Sequence, residues 1–328
     1  MPALAYPALV GEPVPGDRVL LNVNALDLGL GTGGYALVVA LPDRLPPDQL
    51  PPDQPEPGPG RAGAGHIVKA RYTPLQPVVT SVEETHPELS TVDSLEGMPV
   101  VLADLHSALP AILAGIQAER PTATVGYVMT DGGALPAWFS RTLAGLSGRL
   151  AGVVTVGQAF GGDLEAVTVH SGLLAARYVL GADLAVVAQG PGNLGTGTPW
   201  GFSGIAVGEA VNAVATLGGR PVGALRVSDA DPRPRHRGVS HHSLTAYGRV
   251  ALAPADLVVP ADLVLPARTE AALAARHRIV RVKTDGLAAA LRALPVPLST
   301  MGRDLDADPG YFLAAAAAGR YAATLLVR

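Results

Sequence analysis

Residues 226–245 crowd together cationic and imidazole side chains. The segment holds four arginines, three of the chain's eight histidines and two aspartates, namely Arg226, Arg233, Arg235, Arg237, His236, His241, His242, Asp229 and Asp231. Only 16% of the chain is charged, so overall composition does not explain this crowding. A guanidinium group presents a planar fork of donors that fits two phosphate or carboxylate oxygens. Residues 229–242, here called the basic loop, are therefore predicted to bind an anion.

The spacing inside the basic loop suggests how it would do so. Arg233, Arg235 and Arg237 alternate, which in an extended loop places them on one side, with His236 opposite. Ser240 is predicted to be the N-cap of the following helix, whose free N–H groups would add donors. We therefore assign these three arginines and Ser240 as ligand-binding residues.

Acid–base chemistry is the reaction type that these residues favour. Histidine titrates near neutrality, and nearby arginines would keep His241 or His242 neutral, as a general base requires. Asp131, which follows another predicted strand, completes the catalytic candidates. A structural alternative stays open: one histidine packs while the other is solvated, and Asp229 and Asp231 neutralise the arginines. An enzyme and a non-catalytic module that binds a metabolite or a protein are both compatible with the sequence.

A glycine-rich segment follows a different apolar strand. Gly190, Gly192 and Gly195 match the pattern G-x-G-x-x-G before a predicted helix, the order of a dinucleotide site. The helix begins late, near Ser203, and Asp229, the acidic residue at the end of the next predicted strand, lies farther away than the usual ~20 residues. We predict a ligand-binding loop, with a dinucleotide-dependent oxidoreductase as an alternative function and the cofactor unknown.

Metal binding has weaker support. Asp104 and His106 follow a predicted strand and offer oxygen and imidazole ligands. His241 and His242 are consecutive, so on a helix their side chains would diverge by roughly 100° and would not share an ion. The sequence predicts no metal site; the weak candidates are Asp104 and His106, which Asp131 and either His241 or His242 would complete.

Alternating strands and helices must position all these residues. From about residue 97, apolar strands are predicted at 100–103, 124–129, 152–156, 184–188, 221–227, 249–253, 278–282 and 297–300. Segments with helical spacing lie between most of them, at 108–118, 137–146, 166–180 and 205–217. This pattern predicts a largely parallel, doubly wound α/β domain over residues 96–328, with a TIM-barrel-like fold as the alternative. In open α/β sheets, ligands bind beyond the carboxyl ends of the strands, which is where the candidates lie.

Residues 1–95 have a different pattern. Short apolar strands separated by glycine-rich turns predict a small all-β, barrel-like domain. Residues 42–64 contain a tandem Leu-Pro-Pro-Asp-Gln and are predicted to be an exposed proline-rich loop.

Composition limits the remaining classes of function. Hydrophobic residues make up 48% of the 328 residues, and the mean hydropathy is +0.30, as expected for a folded chain. The net charge of −4 argues against a nucleic-acid-binding protein. There is no cysteine, no apolar run long enough for a membrane span and no signal-peptide pattern, so we expect a cytoplasmic protein without a membrane partner. The low charge fraction favours a homodimer or larger homo-oligomer.

Three stretches resemble a known family. They are residues 65–76, Gly-His-Ile-Val-Lys-Ala-Arg-Tyr-Thr-Pro-Leu-Gln, residues 161–167, and residues 235–245, Arg-His-Arg-Gly-Val-Ser-His-His-Ser-Leu-Thr. Together they resemble a bacterial family seen in Actinobacteria and Firmicutes, over nearly the full length. The resemblance implies a bacterial protein of a family with no assigned activity, so it implies no catalytic residue.

Overall fold

A computed structural model of the chain describes residues 1–29, 33–44, 67–71, 73, 75–133 and 136–326. They form two compact units, Met1–Thr80 and Ser81–Arg328. From residue 45 onward, the predicted proline-rich loop lies outside the described residues. The division into two domains near residue 95 stays a prediction.

The smaller unit contains short elements. Strands β1 (Ala3–Leu4), β2 (Leu20–Asn22) and β3 (Ala36–Ala40) form a sheet in the order β1-β3-β2, and β4 (Ile67–Val68) pairs antiparallel with β5 (Val78–Val79). Two four-residue helices, α1 (Pro7–Val10) and α2 (Asn24–Asp27), accompany them. The strands described in this unit therefore form two small separate sheets.

The larger unit has the predicted α/β fold, built on an eight-stranded sheet. Its strands are β6 (Pro99–Ala103), β7 (Val125–Thr130), β8 (Gly152–Val156), β9 (Leu164–Ala166), β10 (Leu184–Gln189), β11 (Arg220–Ala224), β14 (Asp256–Pro260) and β15 (Arg278–Val282), with the short hairpin β12 (Val227–Ser228) and β13 (Gly238–Val239) outside the sheet. The order is β15-β14-β11-β6-β10-β7-β8-β9, and every neighbouring pair is parallel. Strands β9 and β15 are the edges of this open sheet, so the barrel alternative does not apply.

Helices cover both faces of the sheet. They are α3 (Val82–Thr85), α4 (Leu109–Glu119), α5 (Arg141–Gly145), α6 (Val169–Tyr178), α7 (Ala206–Thr216), α8 (His241–Thr245), α9 (Ala267–Ala274), α10 (Leu287–Arg292) and α11 (Pro309–Thr324). Successive strand residues point to opposite faces. Val101 and Ala103 accordingly join the core under α4, α10 and α11, whereas Val100 and Leu102 join the core under α6, α7 and α9. Both faces of the central strands are thus removed from water.

Two glycines allow α4 and α11 to pack closely. A Cβ added to Gly115 would lie 1.9 Å from the Ala316 carbonyl oxygen, and one on Gly319 would lie 2.0 Å from that of Ile112. The helix backbones are therefore in direct contact at these positions. None of the helices in the described part of the chain is both long and apolar enough to cross a membrane.

Two predicted strands are wrong. Residues 249–253 do not form a strand, because α8 continues as a π-helical turn, Ala246–Val250, and the Leu252 and Ala253 N–H groups donate to Asn212 Oδ1. The strand of this region is β14, Asp256–Pro260. Residues 297–300 form no sheet strand either, since Thr300 makes only an isolated bridge to Arg303.

Candidate functional site

The sheet has a topological switch point between its neighbouring strands β6 and β10. The chain leaves β6 through α4 toward β7, and it leaves β10 through α7 on the opposite face toward β11. Connections that diverge in this way open a crevice at the carboxyl ends of the two strands. At this point Gln189, the last residue of β10, is linked to the residue after β6, because its Nε2 donates to the Asp104 carbonyl oxygen at 2.6 Å.

The basic loop is folded into a compact turn at this crevice. Strands β12 and β13 pair antiparallel at its two ends, through Val227 with Val239. The alternating-arginine prediction of an extended loop is wrong, because Pro234 begins a 3-10 turn, Pro234–His236. Pro fixes φ near the helical value, so it favours such a turn. As predicted, Ser240 is the N-cap of α8, and its Oγ accepts from the His242 N–H at 3.2 Å.

Asp231 organises the arginines around it. The Arg233 guanidinium donates to both of its carboxylate oxygens, at 2.9 and 2.8 Å, and Arg303 Nη2 donates at 3.2 Å. Arg226 Nη2 lies 3.6 Å from Asp231 Oδ2. The Asp231 side chain is fully buried, and the hydrogen bonds from Arg233 hold the pKa of its carboxyl well below the ordinary value.

Asp308 extends this network to the start of α11. Its Oδ2 accepts from Ser228 Oγ at 2.7 Å and from Arg303 Nε at 2.9 Å. Arg303 therefore bridges Asp231 and Asp308, two buried carboxylates from distant parts of the chain. For Arg233, the structure therefore shows the structural alternative, in which Asp231 neutralises the arginine.

Three histidine rings lie beside this network. His236, His241 and His242 each offer a ring nitrogen within 4.8 Å of the other two. Their ring centroids are 4.5–4.9 Å apart. The expectation that His241 and His242 diverge is wrong for their rings, whose centroids lie 4.5 Å apart. Phe202 stacks on His242 with centroids 3.8 Å apart and planes within 3°, which holds that ring toward the others.

The outer nitrogens of two of these rings have polar neighbours. His236 Nδ1 lies 2.7 Å from Ser240 Oγ, and His242 Nδ1 lies 3.6 Å from Asp104 Oδ2 and 3.3 Å from Arg226 Nη1. By contrast, His241 Nε2 and Asp104 Oδ2 are buried without a hydrogen-bond partner among the described residues. A buried polar atom in that condition is uncommon and calls for an explanation, such as a bound ion or molecule.

The surroundings keep two of the rings neutral. Burial, with the nearby Arg226 charge, lowers the pKa of His236 to about 3. Burial also lowers the pKa of His241 to about 4, with further contributions from His242 and Arg235. Both imidazoles therefore keep a lone pair at pH 7, which is the state in which imidazole binds a metal or accepts a proton.

Two arginines of the basic loop are exposed to solvent. Arg235 lies against the glycine-rich segment, where a Cβ added to Gly197 would be 3.5 Å from Arg235 Nη2. Arg237 donates from Nε to the Asp231 carbonyl oxygen at 3.1 Å, and no carboxylate pairs with either side chain in the part of the chain that is described. Arg226, Arg233 and Arg303, by contrast, are each paired with a carboxylate.

The glycine-rich segment, residues 190–202, forms a turn of its own and is called the glycine-rich turn below. Gly192 has a positive φ of 89°, Gly195 bridges to Phe202, and α7 begins only at Ala206. The glycines of a dinucleotide fingerprint open directly into their helix, so this turn has a different geometry. Gly190 packs against the loop after β7, since a Cβ on Gly133 would lie 2.2 Å from the Gly190 carbonyl oxygen.

Two other candidates have partners away from the histidines. Asp131 accepts from the Gln158 N–H at 2.9 Å, which places its carboxylate at the loop after β8. His106 is buried, and both its ring nitrogens are in hydrogen bonds, Nδ1 with Tyr127 Oη at 2.9 Å and Nε2 with Ser140 Oγ at 2.7 Å.

Sequence reasoning missed the residues that come from other segments. Phe202 lies in the loop before α7, while Arg303 and Asp308 come from the region before α11. Only the position of Arg303 after a predicted strand gave a signal. Nothing in the sequence paired it with Asp231.

Comparisons with known proteins identify the family and nothing further. No curated protein and no solved structure matches the chain. A family model described as "Protein of unknown function (DUF3866)" matches residues 2–319. Because the match covers nearly the whole chain, the protein belongs to the DUF3866 family.

Proposed function

We propose that the protein binds a small anionic molecule, phosphorylated or bearing a carboxylate, between the basic loop and the glycine-rich turn. The observation that carries the proposal is the position of Arg235, exposed and directly over Gly197. Two segments that were selected separately as ligand-binding loops thus meet at the switch point of the sheet, where open α/β folds bind their ligands.

The charges around the crevice support this proposal. Three arginines face three buried carboxylates, namely Arg226, Arg233 and Arg303 against Asp104, Asp231 and Asp308. Their charges balance. The exposed Arg235 and Arg237 outnumber the one further carboxylate of the basic loop, Asp229, and so leave a positive excess that an anion can neutralise. Each charge-assisted hydrogen bond to such a ligand is worth about 1.5–3 kcal/mol.

His241 favours an enzyme over a purely binding module. Its ring is only partly buried, it is neutral at pH 7, and its Nε2 has no hydrogen-bond partner in the described segments. A neutral imidazole in this state can act on a bound molecule. We propose that His241 or His242 takes part in transforming the bound anion. Asp131 is a weaker candidate for this role, because its carboxylate contacts the loop after β8.

A thermal-shift comparison of anions tests the binding proposal. The Tm is measured in phosphate, sulfate or citrate and in chloride at matched ionic strength. The oxyanions should raise the Tm of the wild type more than chloride does, and Arg235→Ala should lose that difference. Arg268→Ala is the matched control, because Arg268 is an exposed arginine on α9. The proposal is wrong if Arg235→Ala keeps the full oxyanion effect, or if the wild type shows none.

We also propose a homo-oligomer. Trp200 and Leu194, in the glycine-rich turn, are 52% and 55% exposed, and the chain has few charged residues to keep every face in water. Sedimentation velocity at micromolar concentration should give a dimer or larger species. A single species of 33.3 kDa would contradict this.

A further inference from the structure

We propose that His236, His241 and His242 bind one divalent transition-metal ion of the zinc type at the mouth of the switch-point crevice. This site goes beyond the proposed anion binding, because its ligands are imidazole nitrogens and none of the arginines contributes one. No carboxylate is required as a ligand either.

The three rings are already close to the required geometry. Their ligand nitrogens lie within 4.8 Å of one another. Around zinc in tetrahedral coordination, with Zn–N near 2.1 Å, such nitrogens are ~3.4 Å apart. Small ring rotations therefore suffice to close the site. The backbone already fixes the three positions, with His236 at the end of a 3-10 turn and the other two at the first turn of α8.

The polar neighbours leave the Nε2 atoms for the ion. In metal sites, the second nitrogen of a ligating histidine donates to a carboxylate, a carbonyl or water, which fixes the ring. His242 Nδ1 lies 3.3 Å from Arg226 Nη1, which can only donate to it, and 3.6 Å from Asp104 Oδ2, which is buried without a hydrogen-bond partner in the described chain. The tautomer that binds an ion through Nε2 carries its proton on Nδ1, so the Nδ1–H turns to Asp104 and the Arg226 N–H moves away from it. His236 Nδ1 faces Ser240 Oγ at 2.7 Å, and a hydroxyl oxygen has two acceptor lone pairs. Stacking on Phe202 fixes the plane of the His242 ring beside these neighbours.

His241 supplies a second, independent observation. Its Nε2 is buried and has no hydrogen-bond partner among the described residues, whereas its ring is part of the histidine cluster. A buried polar atom without a partner has lost the hydrogen bond that water would give it, which destabilises the fold. A metal ion coordinated by this nitrogen removes that cost.

The ligand set also selects the class of ion. The chain has no cysteine, and three imidazoles suit zinc, copper, nickel or iron(II) rather than magnesium or calcium, which prefer oxygen ligands. Three protein ligands leave a coordination position open to water or substrate, as in catalytic zinc sites. The positive charge of Arg226 does not prevent this, because Asp104 and Asp231 lie 4.0 and 3.6 Å from its guanidinium group.

Cobalt(II) titration of tag-free, chelator-treated protein in chloride buffer tests the proposal. Cobalt replaces zinc in such sites and gives a visible d–d absorption. We expect saturation at one equivalent per chain, and zinc added afterwards should abolish the absorption. No absorption at one equivalent in the wild type, together with no zinc retained after dialysis, would overturn the proposal.

Variants assign the ligands. His241→Ala should weaken cobalt binding by at least tenfold, and Asp104→Asn should weaken it by about 10–100-fold through the loss of its contact with His242. His170→Ala is the control, because His170 is an exposed histidine on α6. Wild-type affinity in folded His241→Ala, verified by circular dichroism, would refute the assignment. Because oxyanions are absent, this test can succeed or fail independently of the anion-binding test.

Discussion

Replacing His106 by glutamine tests the hydrogen-bond chain that lies beneath the switch point. Ser140 Oγ and Tyr127 Oη flank the two ring nitrogens of His106, and Tyr127 Oη donates onward to the Gln189 carbonyl oxygen at 3.1 Å. A single neutral tautomer satisfies the whole chain. Nε2 accepts from Ser140, and Nδ1–H donates to Tyr127. None of these partners is a carboxylate that would compensate a positive charge, so burial favours the neutral imidazole.

The magnitude follows from the pKa of His106. Burial lowers this pKa to about 4, against 6.5 in an unfolded chain. The folded protein therefore binds a proton less readily than the unfolded one, so stability is fully present above pH 6.5 and falls as the pH is lowered toward 4. At 1.36 kcal/mol per pH unit, the loss between pH 7.5 and pH 5 is about 2 kcal/mol from this residue alone.

Urea unfolding of the wild type and of His106→Gln, at pH 7.5 and pH 5, isolates that contribution. Every other titrating group is common to the two proteins, so its effect cancels in the difference. At pH 7.5 the variant should be less stable by about 1–3 kcal/mol, because Tyr127 and Ser140 lose a partner. At pH 5 this difference should shrink by about 2 kcal/mol. An equal difference at both pH values would refute the neutral, buried imidazole.

Two further predictions concern packing and buried charge. Gly115→Ala and Gly319→Ala should each lower the free energy of unfolding by about 1–3 kcal/mol or more, because the added methyl group meets the backbone of the neighbouring helix. Gly248→Ala, which meets no atom within 4 Å, is the control, and equal melting temperatures for all three variants would contradict the close approach of α4 and α11. Asp308→Ala should cost about 1–3 kcal/mol, because the buried Ser228 hydroxyl and the Arg303 Nε–H lose their acceptor while Arg303 keeps its hydrogen bond to Asp231. Arg281→Ala, which removes an ion pair with Glu270 in which both side chains are more than a third exposed, should cost less than about 1 kcal/mol in the same urea titration.

The fold could be predicted because the central strands are buried on both faces. Strands β6 and β10 are therefore continuous apolar runs, and the segments between strands repeat their apolar residues at helical spacing. Strand β9 was missed because it is a three-residue edge strand, Leu164–Ala166, with a charged residue at its centre. Strand β14 was missed because residues 249–253 have a similar apolar pattern, although the Asn212 side chain binds their backbone instead.

The site could be predicted only where its residues are close in the sequence. The basic loop was found by its crowded arginines and histidines, but the partners of those side chains could not be found. Asp231 turns Arg233 inward through a local hydrogen bond to the Arg233 N–H at 3.0 Å, which alternation along a strand does not describe. Arg303 reaches the same carboxylate from a segment near the C-terminus, and no sequence pattern encodes that contact.

The same limit explains why the histidine cluster was not expected. An angle of roughly 100° between consecutive helical residues holds for Cβ directions, but a histidine ring extends well beyond its Cβ. Stacking on Phe202 sets the direction of the His242 ring, and Ser240 sets that of His236. The convergence of the three rings is therefore a property of tertiary packing at the ends of β6, β10 and β11, and the helix that carries two of them does not determine it.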